Sequence, residues 1–540
     1  MYLTGKSYDE VTAGFRWNIP ARFNIAEAIS TRHAQRAPDA PALIFEQADG
    51  AIRTWTFAEV ERTACRFANA LEHLGVGRGA IVGIHLPQCP ESLFAHIAAQ
   101  KLGAIALPLF NLFGPDALEY RLRDSGARVL ITTTQAHARV ADTIRGVETL
   151  AHVVTVGSAS ATHDFWDLCN RASDRRDTID SGPDDPALLM YTSGTTGNPK
   201  GVLHAARVLL GHLPGVALPQ DMFPQAGDRF WTPADWAWAG GLLDVLLPSL
   251  YYGVPVVGSG RAKFDPEWAF AFLARQGVRN VFMPPTALRL MRQVPDPRRY
   301  GFAVRSIGTG GEKLGADMIA WGQDTFGLTM NEFFGQTEVN LVIGNSGRLF
   351  PVRAGSMGRA IPGHVVEVVD AAGNVLPPGT PGSVAVRRPD PVMFLEYWRR
   401  PEATRGKFRG DWCLLGDIAT KDEDGYFWFQ GRDDDIINSA GYRIGPGEVE
   451  ECLQRHPSVA LAGVIGAPDD LRGEVVVAFI VPAPGVTPTD DLASEIQQFV
   501  RSRLAAHEYP RRIRFVSDMP MTITGKIRRI DLRALDREGP

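Results

Sequence analysis

The chain has 540 residues, enough for about three to four ordinary domains, and its 56 Lys and Arg against 61 Asp and Glu leave a formal charge of −5. A surface of that sign does not coat phosphate, so nucleic-acid binding driven by bulk charge is excluded. Hydrophobic residues at 45% with 22% charged residues are too apolar for general disorder.

Five cysteines, Cys65, Cys89, Cys169, Cys413 and Cys452, contain no C-x-x-C pair, which argues against a disulfide scaffold or a thiolate zinc knuckle and for a reducing compartment. The histidines form no H-x-x-x-H or H-E-x-x-H group, so no zinc site is expected. The opening segment carries Asp9 and Glu10 and has no apolar leader core, and no run of about 18 apolar residues occurs. A cytoplasmic protein without a membrane segment is expected.

In chain order, residues 57–74 space apolar groups as an amphipathic helix does. Residues 80–86 then read as a strand, 91–103 as a helix and 104–110 as a strand, and the rhythm returns at 242–257 and 267–283. Helices between apolar strands predict βαβ units around mostly parallel sheet, in two similar subdomains. After about residue 350 short alternating strands joined by turns such as LPPGTPG (376–382) predict a small sheet or barrel. A polar stretch at 431–435 precedes an α+β piece: helix 447–456, strands 459–466 and 474–482, helix 490–506 and strand 512–516. The expected fold class is thus α/β. A large N-terminal domain (1–431) holds two α/β subdomains and a small β-barrel, a hinge follows (432–435), and a small α+β domain closes the chain (436–540).

The strongest local signal is LLMYTSGTTGNPKGV (188–202), an apolar strand opening into Thr192, Ser193, Gly194, Thr195, Thr196 and Gly197 before Lys200. Glycines let successive N–H groups face one anion, hydroxyls add donors, and Lys200 adds charge, so the loop has phosphate-binding chemistry. It is not a Walker A sequence, because the spacing fails and no Ser or Thr follows the lysine. In NEFFGQTE (331–338), Phe334 offers a face for a base, and Thr337 and Glu338 offer oxygens for a Mg²⁺ bridging phosphates. Asp417 and Arg432 flank the barrel-like segment, and a carboxylate such as Asp417 suits ribose hydroxyls because it can accept both donors at once.

These segments, with WTPADWAWAGG (231–241), GTGGEKLG (308–315), LLGD (414–417), GRDDDIINSAGYRIGPGEVE (431–450) and TGKIRR (524–529), resemble in order the motifs of the adenylate-forming superfamily. The look is closest to medium-chain and acetyl-CoA synthetases. The resemblance implies ATP, Mg²⁺ and coenzyme A as reactants or cofactors and a carboxylic acid as substrate. ATP and AMP contacts fall on Thr192, Ser193, Gly194, Thr195, Thr196, Lys200, Gly310, Gly311, Glu312, Phe333, Phe334, Gly335, Gln336, Thr337, Asp417, Arg432 and Lys526. Glu338 holds the metal, and Thr192, Glu338 and Lys526 carry catalysis, Lys526 by reaching the attacking carboxylate and the α-phosphate. Asp434 is the hinge, and Ser439, Gly441, Tyr442 and Arg443 serve coenzyme A.

Acetyl-specific relatives place a Trp after the adenine-stacking aromatic, where this chain has Gly335. A deep acyl pocket lined by Trp236, Trp238, Gly240, Gly310 and Gly335 is therefore expected, and with it a medium-chain fatty or aromatic acid. The alternatives are an acetyl- or propionyl-CoA synthetase, an adenylation enzyme loading a carrier protein, an inactive ATP-binding regulator and a luciferase-type oxygenase. The sequence leaves monomer and homodimer both open.

Overall fold

The computed structural model describes residues 2–158, 162–192, 199–311, 314–432, 435, 437–439, 442–469, 472–504, 508–522 and 525–538. The chain divides into two compact units. The first runs through residue 413 apart from 367–385, and the second holds 367–385 and the described residues after 413.

Local sequence explains the elements that carry the first unit. The helix Phe57–His73 starts on a capping box: Glu59 N–H donates to Thr56 Oγ1 at 3.2 Å, and Thr56 N–H to Glu59 Oε2 at 2.8 Å. Its apolar stripe (Phe57, Val60, Ala64, Phe67, Leu71) is buried. The helix Pro90–Lys101 is instead buried nearly all round, as an apolar helix lying on a sheet must be. Strands such as Ile81–His85 and Val129–Thr133 are buried on both faces, which is why they read as continuous apolar runs.

Two large sheets result. One has the order Arg359–Ala360, Ile343–Gly344, Asn331–Phe334, Ser306–Gly310, Asn280–Phe282, Phe230–Trp231, Val256–Ser259, Pro41–Glu46, Ile52–Thr56. Its inner strands, from Asn331–Phe334 to Pro41–Glu46, are parallel. The other runs Glu396–Tyr397, Lys200–Ala205, Pro186–Thr192, Ile105–Pro108, Ile81–His85, Val129–Thr133, His152–Val156, His163–Asp164. It is parallel except around Lys200–Ala205, which is antiparallel to both neighbours. Parallel α/β sheets present ligands at the carboxyl ends of their strands, and here Thr192, Gly310 and Phe334 end three strands.

A smaller sheet, Val366–Val369, Gly382–Arg387, Trp412–Lys421 with Phe408–Arg409 and Phe427–Arg432, forms a partial barrel rather than a closed one. In the second unit Tyr442–Ile444, Ile437–Ser439, Gly473–Pro482 and Val459–Asp469 make a sheet, with Arg512–Phe515 added in parallel. Pro446–Gln454 and Asp490–Arg501 bury Val449, Leu453, Ile496 and Val500 in a core with Ile437, Ile444 and Val476. Leu532 of the helix Arg529–Arg537 joins a second cluster with Ile465, Val477, Phe479 and Met519. The mixed α/β architecture is the one the element rhythm predicts.

Candidate active site

Strand Pro186–Thr192 leaves its sheet at Thr192 and the chain returns on Lys200–Ala205, with Thr192 opposite Lys200. The loop residues Ser193, Gly194, Thr195, Thr196 and Gly197 lie outside the described residues. Glu396–Tyr397 pairs antiparallel with Lys200–Ala205, Tyr397 opposite Val202, so strand alternation puts Tyr397 on the face of Lys200. The Lys200 ammonium stands 5.3 Å from the Tyr397 ring centroid, within cation–π range. Tyr397 Oη donates to Glu338 Oε1 at 2.5 Å. Sequence reasoning missed Tyr397, because FLEYW carries no motif and only a long-range strand pairing delivers it.

Glu338 is 8% exposed and rides on a tight turn in which Gln336 and Val339 exchange N–H···O bonds of 3.0 and 3.1 Å. It forms no ion pair with any described residue. A carboxylate so enclosed, with one neutral donor and no cation, fits a Mg²⁺ that takes one or two carboxylates and completes its shell with phosphate and water.

Strand Ser306–Gly310 is wholly buried, and Gly310 lies opposite Phe333. Phe333 and Phe334, adjacent on a strand, point to opposite faces. The Phe333 ring packs on Phe282, centroids 5.3 Å apart, so it belongs with the apolar residues behind the sheet rather than with the nucleotide contacts the resemblance implies. Phe334 is half-buried on the other face. Gly311 turns with φ 94°, a conformation that favours glycine, and Trp238 closes on it: a Cβ there would lie 3.5 Å from the indole. Glu312 lies outside the described residues.

Four residues expected to line the acyl pocket, Gly335, Gly240, Gly310 and Trp236, face packed neighbours instead of open space. A Cβ on Gly335 would meet Leu341 N and stand 2.6 Å from Asn340 Cα, so position 335 faces backbone and not an open pocket. The spaces beside Gly240 and Gly310 are occupied, since Cβ atoms there would stand 2.5 Å from Phe282 Cε1 and 2.6 Å from Phe333 Cε2. Trp236, 1% exposed, packs against Gly258 as a core residue, whereas half-buried Trp238 stacks at 39° on Phe282 with centroids 5.8 Å apart. Trp238, Phe282 and Phe333 form one continuous aromatic cluster. Behind Phe282 and Phe333 lies a small gap of about 10 Å³, room for about one water, also lined by Gly215, Val216, Leu341 and Asp244.

In the second unit, Asp417 and Arg432 are cross-strand partners, Nη1 to Oδ1 3.5 Å, with the carboxylate buried. Asp434 and Gly441 lie outside the described residues; Ser439 pairs with Tyr442 in register, and Arg443 with Asn438. Lys526 closes a small hairpin. Its N–H donates to Thr522 Oγ1 at 3.0 Å, Thr522 N–H donates back to its carbonyl at 2.7 Å, and Gly525 turns at φ 82°. The lysine side chain is exposed. Just beyond it, Arg529 is bidentate to Glu450 at 2.6 and 2.7 Å and reaches Asp435 at 3.3 Å.

A strand-end lysine, a buried carboxylate joined to it through Tyr397 and an aromatic at another strand end make a candidate nucleotide site on an α/β scaffold. The AMP-binding enzyme model matches residues 30–398, and the AMP-binding enzyme C-terminal domain model matches residues 448–526. The acetyl-coenzyme A synthetase of Bacillus subtilis is 35% identical, covering 99% of this chain and 96% of its own length. A human mitochondrial acyl-coenzyme A synthetase is also 35% identical, over 95% of this chain and 91% of its own. The crystal structure of the anthranilate CoA ligase AuaEII with anthranoyl-AMP superposes with a TM-score of 0.85 at 30% identity, covering 96% of this chain and 98% of that one. The chain belongs to the AMP-binding, adenylate-forming enzyme family. It is an AMP-forming acid–CoA ligase, which joins a carboxylic acid to coenzyme A through an acyl-AMP at the expense of ATP.

Proposed function

We propose that the acid is aromatic or medium-chain, and that the residues above divide the two half-reactions between them. The observation that supports the size is the aromatic cluster of Trp238, Phe282 and Phe333, whose flat apolar faces suit a ring or a short chain beyond the carboxylate.

A carboxylate attacking a polyphosphate is an encounter of like charges, so the first step needs cations more than acid–base help. Lys200 and the 192–200 loop hold the phosphates, Phe334 faces the adenine, and Lys526 supplies charge at the α-phosphate. Glu338 would hold Mg²⁺, which when bound neutralises phosphate charge. Tyr397 fixes the Glu338 carboxylate through its 2.5 Å hydrogen bond. Asp417 and Arg432 serve the ribose. Asp434 in the 432–435 hinge, between a 1–431 domain and a 436–540 domain, permits the change that brings the 439–443 segment to coenzyme A for the second step. All five cysteines are unpaired and no helix among the described residues is long and apolar enough to cross a membrane; a cytoplasmic location is part of the proposal.

The test is ATP–pyrophosphate exchange and CoA-thioester formation with acetate, butyrate, hexanoate and benzoate. Highest kcat/KM on hexanoate or benzoate supports the reading. Highest kcat/KM on acetate overturns the size argument.

A further inference from the structure

One helix holds the strands of Lys200 and Tyr397 from outside the site. Pro115–Ser125 buries Leu118 and Leu122 in one cluster with Leu189 and Leu203 of the sheet, so it is a fixed reference. Tyr120 and Asp124 lie four residues apart on it and share a face. Tyr120 Oη donates at 2.9 Å to the carbonyl of Pro199, the residue before Lys200. Asp124 Oδ2 accepts at 2.7 Å from the hydroxyl of Tyr191, the residue before Thr192. Thr192 and Lys200 stand opposite each other in the strand pairing, so the helix is bonded to the chain one residue away from each of them.

The same helix face reaches the strand of Tyr397. Arg400 Nη2 donates to Asp124 Oδ1 at 3.1 Å and to Tyr120 Oη at 3.0 Å. The Arg400 N–H donates to the Tyr397 carbonyl at 2.9 Å. Thr404 Oγ1 accepts from the Tyr397 N–H at 2.9 Å and donates to the Arg400 carbonyl at 3.0 Å. Tyr397 is thus held at both polar groups of its own backbone by the turn whose arginine rests on Asp124. Both oxygens of Asp124 are engaged, one towards each strand, and its side chain is only 22% exposed. A charged acceptor in such a place makes stronger hydrogen bonds than it would in water.

We infer that Asp124 is a positioning residue for the adenylation step: it fixes Lys200 and Tyr397 relative to each other without itself meeting a reactant. The inference rests on the phosphate-holding role of Lys200 proposed above and extends it to a residue outside every motif. Stabilising charge on a polyphosphate depends on groups already held in place before reaction, so loosening their common anchor costs rate. Pyrophosphate has left when the acyl group moves to coenzyme A, so Asp124 serves the first step and not the second.

The experiment compares wild type with Asp124→Ala, Asp124→Asn, Arg400→Ala and Lys200→Ala. Three quantities are measured: the Kd for ATP by calorimetry, kcat/KM for ATP–pyrophosphate exchange, and the rate of thioester formation from supplied acyl-AMP. Asp124→Ala should weaken ATP binding and lower exchange by about ten- to hundredfold, while thioester formation stays within about twofold. Asp124→Asn still accepts from Tyr191 but offers Arg400 no charge, and it should restore part of the loss. Combining Asp124→Ala with Arg400→Ala should cost no more than the larger single loss, because the two act as one unit. Equal losses in both half-reactions overturn the inference, as does exchange within about twofold of wild type in folded Asp124→Ala. If Asp124→Ala does not fold, Asp124→Asn and Arg400→Ala carry the same comparison. A selective loss of exchange in Lys200→Ala with none in the Asp124 variants overturns this inference alone. No selective loss in Lys200→Ala overturns the phosphate role of Lys200 and this inference with it.

Discussion

The Tyr397 hydroxyl lies 2.5 Å from Glu338 Oε1 while the ring of the same tyrosine faces the Lys200 ammonium at 5.3 Å. One side chain thus links a buried carboxylate to an ammonium, the anionic and cationic halves of the proposed phosphate site. Tyr397→Phe keeps the ring and deletes the donor. A hydrogen bond to a charged group is worth about 1.5–3 kcal/mol, so kcat/KM for pyrophosphate exchange should fall roughly ten- to hundredfold. The magnesium concentration for half-maximal rate should rise, because the carboxylate is no longer held. An unchanged magnesium titration would mean that Glu338 does not serve the metal.

Gly335 yields a prediction about folding. Its Cβ position abuts Leu341 N and lies 2.6 Å from Asn340 Cα, and Leu341 already sits at φ 52°, strained for a branched residue. Backbone gives way less readily than a side chain, so Gly335→Ala should destabilise the protein by about 1–3 kcal/mol and lower its melting temperature. The order of preference among acids should stay as in the wild type. A variant that melts normally and shifts preference towards acetate would restore position 335 as the wall of the pocket.

The contrast between these two sites shows what local sequence carries. The helix Phe57–His73, its capping box and the buried parallel strands follow from periodicity and propensity, and the α/β architecture follows from them. Lys200, Glu338 and Lys526 stand in contiguous motifs, which is what makes them candidates from sequence alone. Tyr397 lies 59 residues from Glu338 and comes to it through a two-residue strand. The direction of the missing Gly335 side chain depends on the 336–339 turn folding back. Trp236 and Trp238 look equivalent in sequence, yet only tertiary packing sends one to the core and the other to the site.

Lys526 offers a separation of half-reactions. Lys526→Ala should lower adenylation by about a hundredfold or more, the scale of losing one donor that acts in the transition state. Thioester formation from supplied acyl-AMP should survive much better. Equal losses in both would refute the role assigned to this lysine.

The second unit is tied by Arg529, whose guanidinium meets both Glu450 oxygens and Asp435. Burial raises the Glu450 carboxyl, and the Arg529 charge opposes that rise. Arg529→Met strands a buried carboxylate, which should cost about 3–5 kcal/mol. Adding Glu450→Leu should recover much of it, since the desolvated charge is gone. A double variant no more stable than the single one would show that Asp435, not Glu450, is the partner that matters.

Asp235 makes stability depend on pH in a direction opposite to most carboxylates. Its Oδ1 accepts from Ala237 N–H at 2.9 Å, but burial dominates and pushes the pKa from 3.8 up to about 6. Between those values the folded protein keeps a proton that the unfolded chain has released, so stability falls as pH rises through the window. Above about pH 6 the folded carboxyl ionises too, and the full desolvation cost is present. Asp235→Asn cannot ionise and keeps an oxygen for Ala237. The melting temperature of the variant relative to wild type should therefore climb from pH 4 to pH 7 and level off, a gain of about 1–3 kcal/mol. Differencing the two proteins cancels every other titration they share. A flat difference across that range would mean that Asp235 is hydrated in solution, and a difference that shrinks with rising pH would mean that a cation holds it ionised.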